Sequence, residues 1–266
     1  MYYMCNRAVL FYYHEPDMKK LLTVLVMIIQ LNLFGQNDRL NDYNNINWVQ
    51  TFNTIRLDSQ WSLHAEYQWR RDHGLRNWQQ SLLRMGVNFK LHENVTAHLG
   101  YGWIETFPYG DYPIAANGTF PEHRIYEQLS FRQPVKKWLF LHRFRVEQRW
   151  LGRVKPGTTN NREIDGWTFL HRFRYQFKSQ YKLWSKNQQQ LYAAAADEIF
   201  IGAGKNAGVN IFDQNRLFLL MGYVINKRIT LEAGYMNQTL QQGRRINNST
   251  IMQRNNGIVI SYFINW

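Results

Sequence analysis

The amino-acid sequence predicts an all-β protein, an antiparallel transmembrane β-barrel of the outer-membrane type with roughly 10–12 strands. Three observations favour this fold. Apolar and polar side chains alternate with a period of two, an apolar segment near the N-terminus has the form of an export signal, and the strand connections alternate between short and long. Together these features argue against a helical repeat and against a soluble β-sandwich.

The segment FLHRFR occurs twice, at 140–145 and at 169–174, and shows the alternation most clearly. Because successive side chains of a strand point to opposite faces, the aromatic residues of each copy share one face and the arginines share the other. In a helix the same residues would be spread around the circumference. We therefore expect the aromatic face to meet lipid and the basic face to line the lumen. The predicted lumen charge cluster comprises Arg143, Arg145, Glu147, Arg149, Arg172 and Arg174, with Glu66 and Glu232 as further inward acidic partners.

The same alternation recurs along the chain. It is clear at 61–70, 82–91, 95–103, 138–151, 167–178, 229–235 and 258–266. It is less regular at 46–57, 122–133, 186–201 and 212–225. These segments are eleven candidate strands, whereas single-chain bacterial barrels usually have an even number. Either the first segment enters through the lumen, or one strand is missing or spurious.

The connections divide into two classes. Short turns are predicted near 57–60, 92–94, 133–137 and 225–227, and longer polar loops near 72–77, 107–121, 152–165, 202–211 and 241–250. A soluble sandwich has loops of similar length at both ends, whereas short turns at one end and long loops at the other are typical of outer-membrane barrels. Tryptophans near strand ends predict two aromatic girdles: Trp61, Trp69, Trp138, Trp150 and Trp167.

The N-terminal region predicts export. Lys19 and Lys20 precede an apolar run at 21–34, and the small residue Gly35 follows it. This arrangement is typical of a secretory signal, and the apolar run is too short to span a bilayer comfortably. The predicted division of the chain is a misassigned or disordered extension at 1–17, a signal peptide at 18–35, a polar segment at 36–45 and the barrel at 46–266.

The composition and the C-terminal residues limit which partners are expected. The formal net charge of +13 would suit a nucleic acid, but an exported protein does not meet cytoplasmic nucleic acid, so we expect no such partner. The single cysteine, Cys5, excludes an internal disulfide. The chain ends on Tyr262, Ile264 and Trp266, which share one face and resemble the terminal signal for barrel assembly. Expected partners are outer-membrane lipid, the barrel-assembly machinery and a small anionic solute.

The sequence predicts no catalytic site, metal site or cofactor. His142 and His171 lie on apolar faces without a serine in their own strands, which favours neutral histidines near the membrane interface. Asp197, Glu198 and Asp111 could offer oxygen ligands to a cation, but no ligand spacing recurs. The alternative is an outer-membrane lipid-acting hydrolase, because a Ser–His pair can assemble across strands.

Four segments, taken in order, resemble an uncharacterised outer-membrane barrel family common in Bacteroidota, the domain-of-unknown-function family 2490: 53–70, 140–150, 197–201 and 212–235. The resemblance implies the barrel fold and the outer-membrane location, without an activity or a site. We therefore expect an integral outer-membrane barrel of unassigned role, either a narrow Arg-lined pore or a structural or docking barrel. Barrels of about eight strands are filled by side chains and wide channels need about sixteen, so a narrow or blocked lumen is expected.

Overall fold

The computed structural model describes residues 39–155, 163–207 and 211–266. The predicted signal peptide, the extension at 1–17 and Cys5 lie outside the described residues. No helix among the described residues is long and apolar enough to cross a bilayer. The strands in this part of the chain are β1 (Arg39–Arg56), β2 (Trp61–Asp72), β3 (Asn77–His92), β4 (Val95–Thr106), β5 (Phe120–Val135), β6 (Trp138–Val154), β7 (Ile164–Lys186), β8 (Gln189–Ala203), β9 (Phe212–Val224), β10 (Ile229–Ile246) and β11 (Ser249–Asn265).

The strands form a closed barrel whose seam is parallel. Each strand pairs antiparallel with its neighbours in sequence, and β1 pairs with β11 in parallel register from Arg39 opposite Thr250 to Thr54 opposite Asn265. An odd number of up-and-down strands leaves the first and last running in the same direction, so only a parallel pair can close the ring. The predicted all-β barrel is confirmed. Both explanations offered for the odd count are wrong, because all eleven candidate segments are wall strands.

Two predicted boundaries are wrong. The barrel begins at Arg39 rather than at 46, because residues 39–45 pair with β11 before β1 meets β2 at Ile46. The predicted loop at 241–250 is largely strand, because β10 continues to Ile246 and β11 begins at Ser249. Their two-residue turn is Asn247 and Asn248, with φ of 48° and 64°, the left-handed conformation that tight hairpins require and asparagine tolerates.

The two faces of the wall differ sharply in character. In the doubled motif, Phe144 and Phe173 are 47% and 49% exposed, whereas Arg145 and Arg174, one residue further along, are each 5% exposed. An apolar outer face and a polar interior are the arrangement of a barrel surrounded by lipid. The aromatic side chains therefore lie outside the barrel and the arginines inside it.

The connections after β1, β3, β5, β7 and β9 lie at one end of the barrel, called the turn end. The connections after the even-numbered strands lie at the other end, called the loop end, and include the short turn at Asn247 and Asn248. At the turn end, the Asp58 carboxylate accepts hydrogen bonds from the backbone N–H groups of Trp61 and Gln60, both at 2.7 Å. These bonds favour the charged carboxylate and hold the pKa of Asp58 below its usual value. The Asp58 side chain thus holds the backbone of the β1–β2 turn in place.

Candidate functional site

Charged side chains from seven strands meet inside the barrel. We call this group the arginine layer. It contains nine arginines and five carboxylates, a formal excess of four positive charges: Arg70, Arg84, Arg124, Arg143, Arg145, Arg149, Arg172, Arg174 and Arg216 with Glu66, Glu122, Glu147, Glu198 and Asp213. The structure places all six residues of the predicted lumen cluster in this layer.

Glu147 is the most connected carboxylate of the layer and is fully buried. Arg172 donates to its Oε2 from Nε at 2.8 Å and from Nη2 at 2.6 Å. Arg174 Nη1 donates to Oε1 at 2.6 Å, and Arg124 Nη1 donates to the same oxygen at 3.4 Å. One carboxylate therefore stabilises three guanidinium groups from two strands, β5 and β7.

Other arginines of the predicted cluster pair with acids that the sequence did not identify as partners. Glu122 Oε1 accepts from Arg149 Nε at 2.8 Å. Glu198 Oε1 accepts from Arg143 at 2.9 Å and from Arg174 Nη2 at 2.6 Å. The register contained a signal for Glu198, because it precedes the inward-facing Phe200 by two residues, but its partners lie on β7 and β6 and cannot be inferred from one strand.

The two further partners predicted from the sequence face inward but pair elsewhere. Glu66 accepts from Arg84 Nη1 at 2.7 Å. Glu232 accepts from Lys178, which reaches it from β7. Among the described residues, neither acid forms an ion pair with an arginine of the doubled motif. Glu66 lies directly opposite Arg84 in the β2–β3 register. Lys178 lies on the same strand as Arg172 and Arg174 but nearer the turn end.

Two buried arginines of the layer, Arg70 and Arg216, have no carboxylate within 4 Å among the described residues. Their Nε atoms donate to amide oxygens instead, to Gln68 at 2.9 Å and to Gln214 at 3.0 Å. Both guanidiniums lie over the indole ring of Trp48, 3.8 Å and 4.9 Å from the ring centroid. A cation–π contact and a neutral amide stabilise a positive charge without cancelling it.

Aromatic rings separate the guanidiniums elsewhere in the layer. Besides Trp48, two more buried rings have arginines over their faces: Phe200, with Arg172, Arg174 and Arg216 at 4.3–5.0 Å, and Tyr126, with Arg84 and Arg145 at 5.8 Å and 4.3 Å. Sequence analysis assigned no face to these rings, because Trp48, Tyr126 and Phe200 lie in segments where the alternation is less regular. Only their position in the register, in phase with inward-facing polar residues, indicated the lumen.

The arginine layer divides the lumen into two cavities. The turn-end cavity has a volume of about 390 Å³ and includes Trp48, Arg70 and Arg216 in its lining. The loop-end cavity has a volume of about 520 Å³ and extends to Arg172. The space between them is about 70 Å³, with arginines of the layer and Glu122 around it. The predicted narrow or blocked lumen is consistent with this constriction.

The β4–β5 loop at 107–119 folds into the loop end of the barrel. Tyr109 is buried, and the buried Asp42 carboxylate accepts hydrogen bonds from the backbone N–H groups of Asp111 and Tyr112, both at 3.2 Å. Gly110 has φ of 76°, and a Cβ there would lie 2.5 Å from Asp42 Oδ2. The loop therefore needs glycine at this position to approach Asp42.

Replacing Asp42 by alanine should release this loop. Two partly buried backbone N–H groups would lose their acceptor, which costs at most about 1–3 kcal/mol each when nothing replaces it. We expect faster proteolysis within 107–119, measured on the purified protein in detergent. Asp58→Ala is the matched control, because Asp58 also accepts two backbone bonds but lies at an exposed turn. Equal cleavage rates at 107–119 for the wild type and Asp42→Ala would show that Asp42 does not hold this loop in place.

The histidines discussed for catalysis lie on the outer face. His142 Nδ1 is 2.9 Å from the hydroxyl oxygen of Tyr175, and the His171 ring packs edge-on against Phe169. Among the described residues, no serine hydroxyl is hydrogen-bonded to a histidine. This arrangement gives the hydrolase alternative no support.

The acids considered as cation ligands do not converge. Asp197 points outward, where both of its carboxylate oxygens accept from Asn215 Nδ2 at 3.0 Å, whereas Glu198 points into the lumen. Asp111 contributes its backbone N–H to Asp42. In the described part of the chain, no three His, Cys, Asp or Glu side chains are arranged to hold a metal ion.

The residues of the predicted assembly signal lie at the turn end on the outer face. Tyr262 and Trp266 are exposed, and Ile264 lies between them in the same register. The backbone N–H of Trp266 donates to the carbonyl of Thr54 at 2.9 Å, which ties the end of the chain to β1. The side chains of this signal are thus available at the outer surface.

Residues 45–250 match the family described as Protein of unknown function (DUF2490). Among solved structures, "NanC porin structure in rhombohedral crystal form" is 12% identical with a TM-score of 0.42, over 82% of this chain and 95% of that chain. "Structure of the RagAB peptide importer in the 'closed-closed' state" is 11% identical with a TM-score of 0.26, over 68% and 30%. No curated protein sequence matches the chain. The family match covers most of the sequence, and the chain belongs to the DUF2490 family.

Proposed function

We propose that this protein is a narrow outer-membrane channel that favours small anions. The observation that carries the proposal is the pair Arg70 and Arg216, buried between two cavities without a carboxylate within 4 Å among the described residues. An uncompensated buried charge destabilises a folded protein. If the side chains inside the barrel only had to fill it, charge-paired or apolar side chains would make the fold more stable than Arg70 and Arg216 do. An anion entering the layer would supply the missing negative charge.

The dimensions of the lumen support a low conductance. The constriction of about 70 Å³ holds only a few water molecules. The loop at 107–119, which is hydrogen-bonded to Asp42, further narrows the loop end of the lumen. A solute must therefore shed water and exchange it for guanidinium contacts, which favours anions over cations, as basic rings do in anion pores.

We further propose that the chain is exported through a cleaved signal peptide and inserted into the cell outer membrane by the barrel-assembly machinery. The charged start with the apolar run at 21–34, the apolar outer face, and the exposed Tyr262 and Trp266 support this location. Mass spectrometry of protein extracted from purified outer membranes should find a mature N-terminus close to Gln36. A retained 21–34 segment would contradict it.

Removing both uncompensated charges should reduce anion selectivity. In planar bilayers under a KCl gradient, the wild type should give an anion-selective reversal potential, and Arg70→Gln with Arg216→Gln should lower the preference for chloride several-fold. Arg71→Gln is the matched control, because Arg71 follows Arg70 but lies outside, over Trp69 and Trp78. Equal selectivity in all three proteins would contradict the proposal.

A structural or docking barrel is the second candidate, and the dense pairing around Glu147 favours it. That network fills the layer with hydrogen bonds and could serve as a permanent plug. The same bilayer experiment distinguishes the two functions. A wild type that never conducts would indicate the plug, and the double variant would then change only the stability of the barrel.

A further inference from the structure

The turn-end cavity carries an excess of positive charge. Its lining includes seven basic side chains and three acidic ones, a formal excess of four positive charges. The three acids are already paired: Glu66 with Arg84, Glu198 with Arg174, and Glu232 with Lys178. Arg70 and Arg216 have no such partner among the described residues. Beside Trp48, the cavity therefore offers two guanidiniums to one anionic group.

The opposite character is found on the β1–β11 side of the same cavity. Phe52 and Phe263 face the lumen and stack across the seam, with ring centroids 4.8 Å apart and planes at 10°. Phe218, Leu220 and Val259 also line the cavity, beyond the hydrogen-bonded pair Gln50 and Ser261. Barrel interiors are normally polar, so a stacked pair of phenylalanines inside the lumen, which we call the apolar wall, is a departure that charge pairing does not explain.

We infer that the turn-end cavity binds one small organic anion that carries an apolar ring. The anionic group would meet Arg70 and Arg216 beside Trp48, and the ring would pack against Phe52 and Phe263. This inference rests on the proposed function and deepens it, because it names the class of solute. The cavity volume of about 390 Å³ lies within the range of roughly 300–1,000 Å³ that small-molecule sites occupy.

The two surfaces together restrict the class. A small inorganic anion would satisfy the guanidiniums but leave the apolar wall in contact with water. A neutral ring compound would cover the wall but leave Arg70 and Arg216 without a counter-charge. Only a molecule with both parts removes apolar surface from water and neutralises the buried charges at once.

The test is calorimetric titration of the full mature protein in detergent, with three probes and a micelle blank. 2-Naphthoate carries both parts, 2-naphthalenemethanol has the ring alone, and acetate has the charge alone. We expect 2-naphthoate to bind at least ten-fold more tightly than either of the others. Arg70→Gln with Arg216→Gln should weaken 2-naphthoate at least ten-fold, without weakening 2-naphthalenemethanol.

Conservative variants of the wall keep the test independent of folding defects. Phe52→Leu with Phe263→Leu should weaken 2-naphthoate several-fold and leave acetate unchanged. Phe144→Leu, on the outer face, should leave the affinity for 2-naphthoate unchanged. If this variant weakened 2-naphthoate as much as the wall variants do, the probe would be partitioning into the micelle, and the inference would be overturned. Equal affinity for 2-naphthoate and acetate would also overturn it, while anion-selective conductance would survive. Specific binding of 2-naphthoate to a protein that never conducts would support the binding site in the turn-end cavity and contradict the proposed channel function.

Discussion

Replacement of Glu147 by glutamine is expected to destabilise the folded barrel by about 3–5 kcal/mol, the usual cost of breaking a buried ion pair from one side. The change preserves side-chain size but removes the negative charge shared by Arg124, Arg172 and Arg174. Each arginine would retain one other acidic partner. Arg172 would still pair with Asp213 at 2.8 Å, Arg124 with Glu122, and Arg174 with Glu198. The excess of positive charge in the layer would nevertheless rise from four to five.

The measurement is urea unfolding of the protein in lipid vesicles, followed by tryptophan fluorescence. Glu127→Gln is the matched control, because Glu127 has the same chemistry in a neighbouring strand but is exposed on the outer face, where its carboxylate accepts from Gln148. That variant should lower the free energy of unfolding much less, because no buried arginine loses its counter-charge. Similar losses for the two variants would show that Glu147 is not the centre of the layer.

Phe144→Arg is expected to cost about 2–4 kcal/mol where the residue lies near the bilayer midplane. Phe144 is 47% exposed on the outer face, where its ring contacts Phe131 and Tyr175. Arginine at this position would replace the ring contacts with Phe131 and Tyr175 and place a charge against lipid. The same unfolding assay measures the loss.

Arg145→Gln is the comparison for Phe144→Arg, one residue along the strand. Among the described residues, the only ion pair of Arg145 is a long one, 3.8 Å to Glu147, and its buried Nη1 has no hydrogen-bond partner. Its Nε and Nη2 donate to the neutral amide oxygen of Gln128 at 2.9 Å and 2.6 Å. Glutamine should therefore fold with a smaller loss and reduce the charge of the lumen. Equal tolerance of the two substitutions would show that the two faces are not lipid and lumen.

The faces of the strands could be predicted from the sequence because alternation is a local property. Phe144 and Arg145 are neighbours, and period two alone separates them. Alternation assigned no face to Trp48 and Phe200, because they lie in the segments 46–57 and 186–201, where the pattern is less regular. Their place is decided by the arginines that surround them, and those come from other strands.

The ends of strands were harder to predict than their middles. Beyond the lipid both faces of a strand are polar, so the alternation that identifies a strand disappears. This explains why residues 39–45 were assigned to a polar segment and why β10 was ended before Ile246. The pairing of Glu66 with Arg84 depends on the register of the β2–β3 hairpin, which places the two residues directly opposite each other.

The parallel seam has a consequence for the order in which the chain folds. Every other strand pair joins sequence neighbours, whereas Gln50 and Ser261 bond across the seam from 211 residues apart. Contacts of such long separation close the largest loop of the chain, and their entropic cost is recovered only when the remaining wall is already in place. The ten hairpin contacts should therefore form first, as a curved ribbon with β1 and β11 as free edges. Joining those edges is the step that stacks Phe52 on Phe263 and seals the arginines away from water.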